Sequence, residues 1–172
     1  PDALFRTETT GIDNIASSTL TGTSGQMVFD FEVYDNTAYI AIQNDLGLPI
    51  TLLAYPNMTS PPTTLNIVAS SSSYPRFCSL AADANGVYLT YADPDGNIAL
   101  TQFNKDTLGV VASRSLSIDY GFTSPSMATV RSFNNRVFLT TRDGVDVKVC
   151  ELSPLSLDVV ASATIFAYNS LT

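Results

Sequence analysis

Short apolar runs that alternate with polar residues recur along the whole chain. In residues 137–141, Val137, Leu139 and Thr141 fall on one side of an extended segment, and Phe138 and Thr140 fall on the other. Tyr, Phe, Val, Ile and Thr dominate such runs, as is typical of half-buried strands. No stretch places apolar residues at the 3.6-residue period of a helix. The pattern therefore predicts an all-β protein with almost no helix.

Two sequence landmarks repeat at a nearly constant spacing. Segments of similar sequence begin at Asn36, Asn85 and Asn135, at steps of 49 and 50 residues. A second motif, Leu157-Asp-Val-Val-Ala-Ser162, has earlier copies that begin at Ile12, Leu65 and Leu108. A repeat of this length marks one supersecondary unit that buries its faces only against its neighbours.

Each full repeat contains four predicted strands joined by short turns. The first turns carry Asp35-Asn36, Asn85-Gly86 and Asn134-Asn135. The second turns carry Asp45-Leu46-Gly47, Asp95-Gly96 and Asp143-Gly144. These combinations of residues favour tight hairpins. The four strands of a repeat are therefore expected to form an antiparallel meander. The predicted strands lie at 27–34, 38–43, 51–55 and 65–70, at 77–83, 87–92, 98–103 and 110–116, and at 126–133, 137–141, 145–151 and 158–164, with two more at 3–9 and 12–20.

Four-stranded meanders with this period resemble the blades of a β-propeller. The resemblance implies a single domain over 1–172, with a half blade at 1–23 and blades at 24–74, 75–123 and 124–168. A β-sandwich is the alternative fold. Three and a half blades are fewer than the about four to eight that close a propeller, so this chain alone is not expected to close the ring. The expected partner is another chain or fragment that completes the propeller, or copies of this chain itself.

Charge and composition exclude several classes of partner. The net charge is −8 and the chain has only two lysines, Lys105 and Lys148, which disfavours nucleic acid and anionic membrane surfaces. No run approaches the about 18 apolar residues of a membrane span, and no segment has the pattern of a signal peptide. Scarce lysine, abundant Ser and Thr and an acidic balance point to an extracellular protein or to the surface of a cell or virus.

The chain offers little recognisable catalytic chemistry. It has no histidine, which excludes a Ser-His-Asp or Cys-His triad within it, and no cofactor is predicted. Cys78 and Cys150 could form one disulfide, but two small buried side chains are the favoured interpretation. Residues 93–97 (Asp-Pro-Asp-Gly-Asn) have oxygen ligands suited to calcium, but the later bidentate Glu of an EF-hand loop is absent. A hairpin turn that needs Asp and Gly is the preferred interpretation, so no metal is predicted. Asn57-Met58-Thr59 is a glycosylation sequon.

Two sets of residues are candidates for a functional surface. If the propeller resemblance holds, the links between repeats and the second hairpins gather aromatic and polar side chains on one face, where they could bind a sugar (a glycan) or a peptide, or simply pack loops onto the core. This set is Tyr74, Arg76, Tyr120, Phe122, Asp45, Asp95 and Asp143. A second set lies on the first strands, which would line a central channel: Asp30, Glu32 and Asp83, with Arg131 and Phe133 in the third repeat. Paired carboxylates there could serve glycoside hydrolysis, but ordinary solvated strand positions are the preferred interpretation.

The sequence favours a non-enzymatic binding or structural module within a larger assembly. One alternative is a piece of a propeller hydrolase or lyase whose other catalytic residues lie on further blades. Another is a self-assembling fibre subunit, in which open blade ends seal against neighbouring copies.

Overall fold

A computed structural model describes residues 3–8, 11–19, 27–43, 49–57, 62–67, 78–93, 95–123 and 125–166, with the backbone alone up to residue 29 and at residues 43, 66, 67 and 166. The described residues form fourteen β-strands and no helix, so none of them belongs to a helix that could span a membrane. The all-β prediction is confirmed. The strands are β1 (Ala3–Glu8), β2 (Gly11–Thr19), β3 (Met27–Tyr34), β4 (Thr37–Gln43), β5 (Ile50–Pro56), β6 (Thr63–Ile67), β7 (Cys78–Asp83), β8 (Gly86–Ala92), β9 (Ile98–Phe103), β10 (Val110–Ser115), β11 (Pro125–Phe133), β12 (Arg136–Asp143), β13 (Asp146–Leu152) and β14 (Val159–Phe166).

The strands form three antiparallel four-stranded sheets, each in chain order. The first sheet contains β3 to β6, the second β7 to β10 and the third β11 to β14, while β1 and β2 pair with each other. Every neighbouring pair is antiparallel, as the short predicted turns require. The meander prediction is confirmed, and no sheet closes on itself within the described chain.

The first turn of each sheet follows from the local sequence. Asp35 and Asn36 both have positive φ, and so do Asn134 and Asn135, which is the backbone of a tight two-residue hairpin. The second sheet differs from the prediction. Its turn residues are 84 and 85, and the glycine that was placed in the turn, Gly86, begins β8 with φ +156°.

The third turns of the second and third sheets have the same geometry. Leu108 donates its N–H to Asn104 O at 2.9 Å, and Leu157 donates its N–H to Ser153 O at 2.9 Å. Both leucines have positive φ and are fully buried. Leu65 breaks the predicted equivalence, because it lies inside β6 opposite Leu52 and not in a turn. The copy of the motif that begins at Leu65 therefore has a different strand register from the copies that begin at Leu108 and Leu157.

The sheets pack side by side through their first strands. β7 lies between β3 and β11, and the second strands β4 and β8 contact the first strand of the following sheet. This arrangement differs from a sandwich, in which two sheets cover each other along their full faces. Two apolar clusters fill the two interfaces. Between the first and second sheets lie Tyr39, Ala41, Ile50, Leu52, Ala54, Leu80, Val87, Leu89, Phe103 and Leu108. Between the second and third sheets lie residues that include Ala81, Tyr88, Leu100, Leu116, Val130, Leu139, Cys150 and Leu157.

The same aromatic position joins each sheet to the next one. Tyr39 and Tyr88 both lie three residues after a landmark asparagine, and both are almost fully buried. The Tyr39 hydroxyl donates to Lys105 O at 3.1 Å, and the Tyr88 hydroxyl donates to Pro154 O at 3.4 Å. In both cases the acceptor is the third turn of the following sheet. The repeat is therefore visible in the packing as well as in the sequence.

Candidate binding groove

The link between the second and third sheets is folded tightly by its own hydrogen bonds. The Ser115 N–H donates to Asp119 Oδ2 at 2.6 Å, and the Phe122 N–H donates to Leu116 O at 3.1 Å. Gly121 has φ +66°, a conformation that lets the link reverse direction between two aromatic residues. The link thus holds Tyr120 and Phe122 against the outer strands of the third sheet.

A groove of about 450 Å³ lies between this link and strands β13 and β14. This volume falls within the range of small-molecule sites. Its walls combine two aromatic rings, an ammonium group, a carboxylate and two hydroxyls. The lining residues are Asp119, Tyr120, Gly121, Phe122, Lys148, Cys150, Val159, Ser162, Ala163 and Thr164.

The two aromatic side chains in the groove are anchored differently. Phe122 is mostly buried in the cluster between the second and third sheets. Tyr120 is half-buried, and its hydroxyl donates to Leu157 O at 2.7 Å. The ring centroids are 6.0 Å apart, with the planes tilted by 59°. Burial raises the pKa of the Tyr120 hydroxyl, so it remains a hydrogen-bond donor at neutral pH.

Lys148 connects the groove to a buried carboxylate. Its Nζ donates to Asp143 Oδ2 at 2.6 Å and lies 5.1 Å from the centroid of the Phe122 ring. Thr123 Oγ1 donates to the other oxygen of Asp143 at 3.1 Å. Lys148 keeps part of its side chain exposed while Asp143 is buried, so the ion pair fixes the ammonium group at the wall of the groove.

Cys150 forms the back of the groove. It is buried, as the favoured interpretation expected, whereas Cys78 is half-buried, and the two cysteines are not bonded to each other. Burial is the main cause that raises the pKa of the Cys150 thiol, against a smaller opposing effect of Lys148. A protonated thiol is a poor nucleophile. Burial and the nearby Asp30 likewise raise the pKa of Cys78.

The structure brings together three of the residues predicted from the links and hairpins. Tyr120 and Phe122 line the groove, and Asp143 reaches it through Lys148. Asp95 is exposed in the second hairpin of the second sheet and does not line the groove. Tyr74, Arg76 and Asp45 lie outside the described residues.

Asn57, the first residue of the glycosylation sequon, is exposed. It has positive φ, and its N–H donates to Asn36 O at 2.9 Å.

The turn at residues 93–97 is held by its own carboxylate. Asp93 Oδ1 accepts the Asn97 N–H at 2.8 Å, and Asp93 Oδ2 accepts from the Asn97 side chain at 3.3 Å. These bonds are those of a self-capped hairpin turn. No cluster of His, Cys, Asp and Glu among the described residues has the geometry of a metal site.

Several groove residues were missed by the sequence reasoning, which assigned the site to loops alone. Lys148, Ser162 and Thr164 lie on outer strands. A signal for Lys148 was present, because it shares the period-two face of β13 with Cys150 and Leu152. Apart from Asp146 at the start of the strand, the other residues of this face are apolar. A lysine beside them indicates a buried partner or a site.

The predicted channel carboxylates join the sheets to one another. Asp30 Oδ2 accepts the Leu80 N–H at 2.9 Å and an Arg131 Nη1 hydrogen bond at 3.4 Å, while the same Nη1 donates to Ser79 Oγ at 2.9 Å. One polar network thus connects β3, β7 and β11. Asp83 is buried and accepts from Ser132 Oγ at 2.7 Å. These carboxylates differ from the solvated strand positions that were the preferred interpretation.

Comparison with known proteins supports the fold and no closer relationship. No protein-family model and no curated protein matches the chain. A luciferin-regenerating enzyme, itself a β-propeller, aligns with a TM-score of 0.50 at 12% identity over 82% of this chain. The fold is that of β-propeller blades. The chain spans 47% of that enzyme, so the match concerns about half of its length.

A second solved structure also aligns with the chain. It is an engineered GH43 glycoside hydrolase that displays endo-xylanase and exo-arabinofuranosidase activity. The TM-score is 0.45 at 16% identity, over 80% of this chain and 28% of the hydrolase. At this level of similarity the alignment adds nothing to the fold assignment.

Proposed function

We propose that this chain is a non-enzymatic binding module built from propeller blades, and that its ligand site is the groove between the second and third blades. The observation that carries the proposal is the convergence of Tyr120, Phe122 and Lys148 on one cavity of about 450 Å³. These residues come from a link and an outer strand that the packing of the two sheets holds in place.

The chemistry of the walls fits a saccharide. The aromatic rings offer apolar surface for the C–H faces of a sugar ring, and the ammonium, carboxylate and hydroxyl groups can bond its hydroxyls. Lys148 supplies donors, and Asp119 supplies a carboxylate acceptor. Ser162 and Thr164 can both donate and accept. Such a mixed set suits a polyhydroxylated ligand better than a purely apolar one.

The groups around the groove support binding more than catalysis. Asp143 is held in an ion pair with Lys148, and Asp119 accepts the Ser115 N–H. Burial keeps the Cys150 thiol protonated, and the chain contains no histidine. The hydrolase or lyase alternative needs catalytic residues on further blades, and the similarity to the luciferin-regenerating enzyme, at 12% identity, concerns the fold alone.

The proposal includes a larger extracellular or surface-exposed assembly. Its support is the acidic, lysine-poor composition and the exposure of large apolar side chains on the described sheets. An exposed apolar patch on a folded domain commonly marks an interaction surface.

A glycan array followed by calorimetric titration tests the groove. Thr164→Arg places a long side chain across the opening, and we expect it to weaken binding of the best glycan by about tenfold or more, equivalent to about 1.4 kcal/mol. Thr164 is exposed, so the fold should tolerate the change.

Val111→Arg is the matched control, because Val111 is also exposed on an outer strand but does not line the groove. This variant should bind like the unmodified protein. The proposal is wrong if the array gives no hits, or if both variants bind the glycan equally well.

A further inference from the structure

The two interfaces inside the chain define two kinds of sheet face. We call the face toward the following sheet the trailing face and the face toward the preceding sheet the leading face. A trailing face contributes Tyr39 or Tyr88, and the leading face of the next first strand contributes Leu80 or Val130. All four side chains are almost fully buried. Each interface thus pairs the first and second strands of one sheet with the first strand of the next.

The trailing face of the third sheet has the same design but is exposed. Phe138 lies three residues after Asn135, at the position of Tyr39 and Tyr88. It is only half-buried, and Arg136, paired with Glu151, covers it at 5.1 Å from the ring centroid. Phe133, at the end of β11, is 69% exposed. Phe133 on the first strand is therefore open to solvent, and Phe138 on the second strand is partly accessible beneath Arg136.

The leading face of the first sheet is exposed at its first strand. Phe31 lies opposite Ile40 in β4, just as Leu80 lies opposite Leu89 and Val130 opposite Leu139 in the later sheets. Leu80 and Val130 are fully buried, whereas Phe31 is 58% exposed and its neighbour Val33 is also exposed. The exposed part of this face is therefore β3. In the two internal interfaces the preceding sheet covers the equivalent strands, β7 and β11.

The two end repeats differ in net charge. The first repeat, residues 24–74, has four carboxylates and neither Lys nor Arg, so its net charge is −4. The third repeat, residues 124–168, has four basic and four acidic residues and therefore no net charge. Two first repeats repel each other, which disfavours contact between two leading ends and leaves the head-to-tail approach.

We propose that the occupant of the third sheet's trailing face is a second copy of this chain, docked head to tail. Strands β11 and β12 of one copy receive β3 of the next, so Phe133 and Phe138 meet Phe31 and Val33. This contact repeats the first-strand part of the two interfaces inside the chain, because Ile40, Leu53 and Tyr55 on the first sheet are already buried within the chain. Because the two contacting surfaces differ, the contact is heterologous and leads to a ring or to a fibre.

Sedimentation velocity on the intact chain and three charge variants tests the proposal. The mass of the unmodified protein should rise with concentration. Phe133→Lys blocks the trailing end and Phe31→Lys blocks the leading end, and each variant alone should remain monomeric. An equimolar mixture of the two should form a dimer and nothing larger, because only one intact end of each kind is left.

Ile118→Lys is the control, since Ile118 is an exposed apolar residue in the link between the second and third sheets and belongs to neither end. It should associate like the unmodified protein. Circular dichroism confirms folding, and Phe138→Lys replaces Phe133→Lys if the latter is unfolded. A monomeric unmodified protein overturns the proposal, as does a mixture that stays monomeric. Self-association of the Phe31→Lys variant alone would instead show a symmetric contact and would also overturn it.

Discussion

Leu157→Ala is expected to lower the free energy of unfolding by about 2–5 kcal/mol, the usual range for removing a buried leucine side chain. Leu157 belongs to the third turn of the third sheet, yet it is fully buried in the cluster between the second and third sheets. Its N–H bond to Ser153 O and its positive φ hold the side chain in that cluster. Truncation should therefore leave a cavity between two blades. Urea denaturation measures the resulting decrease in the free energy of unfolding.

Leu155→Ala is the matched control from the same turn. Leu155 is 76% exposed, so its truncation should change the free energy of unfolding by about 0.5 kcal/mol or less. The same chemical change two residues apart then separates the contribution of the interface from that of the turn. Equal effects of the two substitutions would show that Leu157 does not enter the core.

Gly86→Ala is the second large effect expected. Gly86 has φ +156°, which an L-residue adopts only with strain of about 1–3 kcal/mol. An added Cβ would also lie 2.6 Å from the backbone oxygen of Phe103, in the strand paired with β8. Because a backbone atom cannot move aside as a side chain can, the sheet itself must shift. We therefore expect chemical denaturation to show that the free energy of unfolding falls by at least about 1–3 kcal/mol.

Gly109→Ala provides the comparison for Gly86. A Cβ at Gly109 would come no closer than 3.4 Å to Thr107 Oγ1, and the residue does not have positive φ. Alanine should be tolerated there, with no loss of stability, because it also restricts the unfolded chain. A Gly86→Ala protein as stable as the Gly109→Ala protein would contradict the described pairing of β8 with β9.

The strands and hairpins could be predicted because their signals are local. Asn134 and Asn135 adopt the positive φ that asparagine tolerates, and Gly96 and Gly144 do so in the second hairpins. Alternation in β12 predicted which side chains are buried, and Val137 and Leu139 are indeed buried. Four strands with short turns have few topologies other than a meander.

Features that depend on contacts between repeats could not be predicted in this way. Leu65 shares a motif with Leu108, but the motif does not specify the register of the strand that contains it. The sequence shows that Phe138, Tyr39 and Tyr88 are equivalent, yet only the packing shows that the tyrosines meet the turn of the following sheet.

The candidate site was predicted only in part for the same reason. Tyr120 and Phe122 could be identified as aromatic residues in a link, since links between blades gather on one face. Their use with Lys148 follows from the way β13 lies beneath that link, a contact between segments about 28 residues apart that no local pattern encodes. The ligand-binding role of these residues stays a prediction.

The side-by-side packing of the blades is tested most directly by nuclear Overhauser contacts of two tyrosine rings. The Tyr88 ring should show contacts with the turn at residues 153–157, and the Tyr39 ring with the turn at 104–108, since each hydroxyl donates to a carbonyl in that turn. Both sets of contacts would establish the repeated interface. Contacts of both rings confined to their own sheets would show that the three sheets do not pack as successive blades.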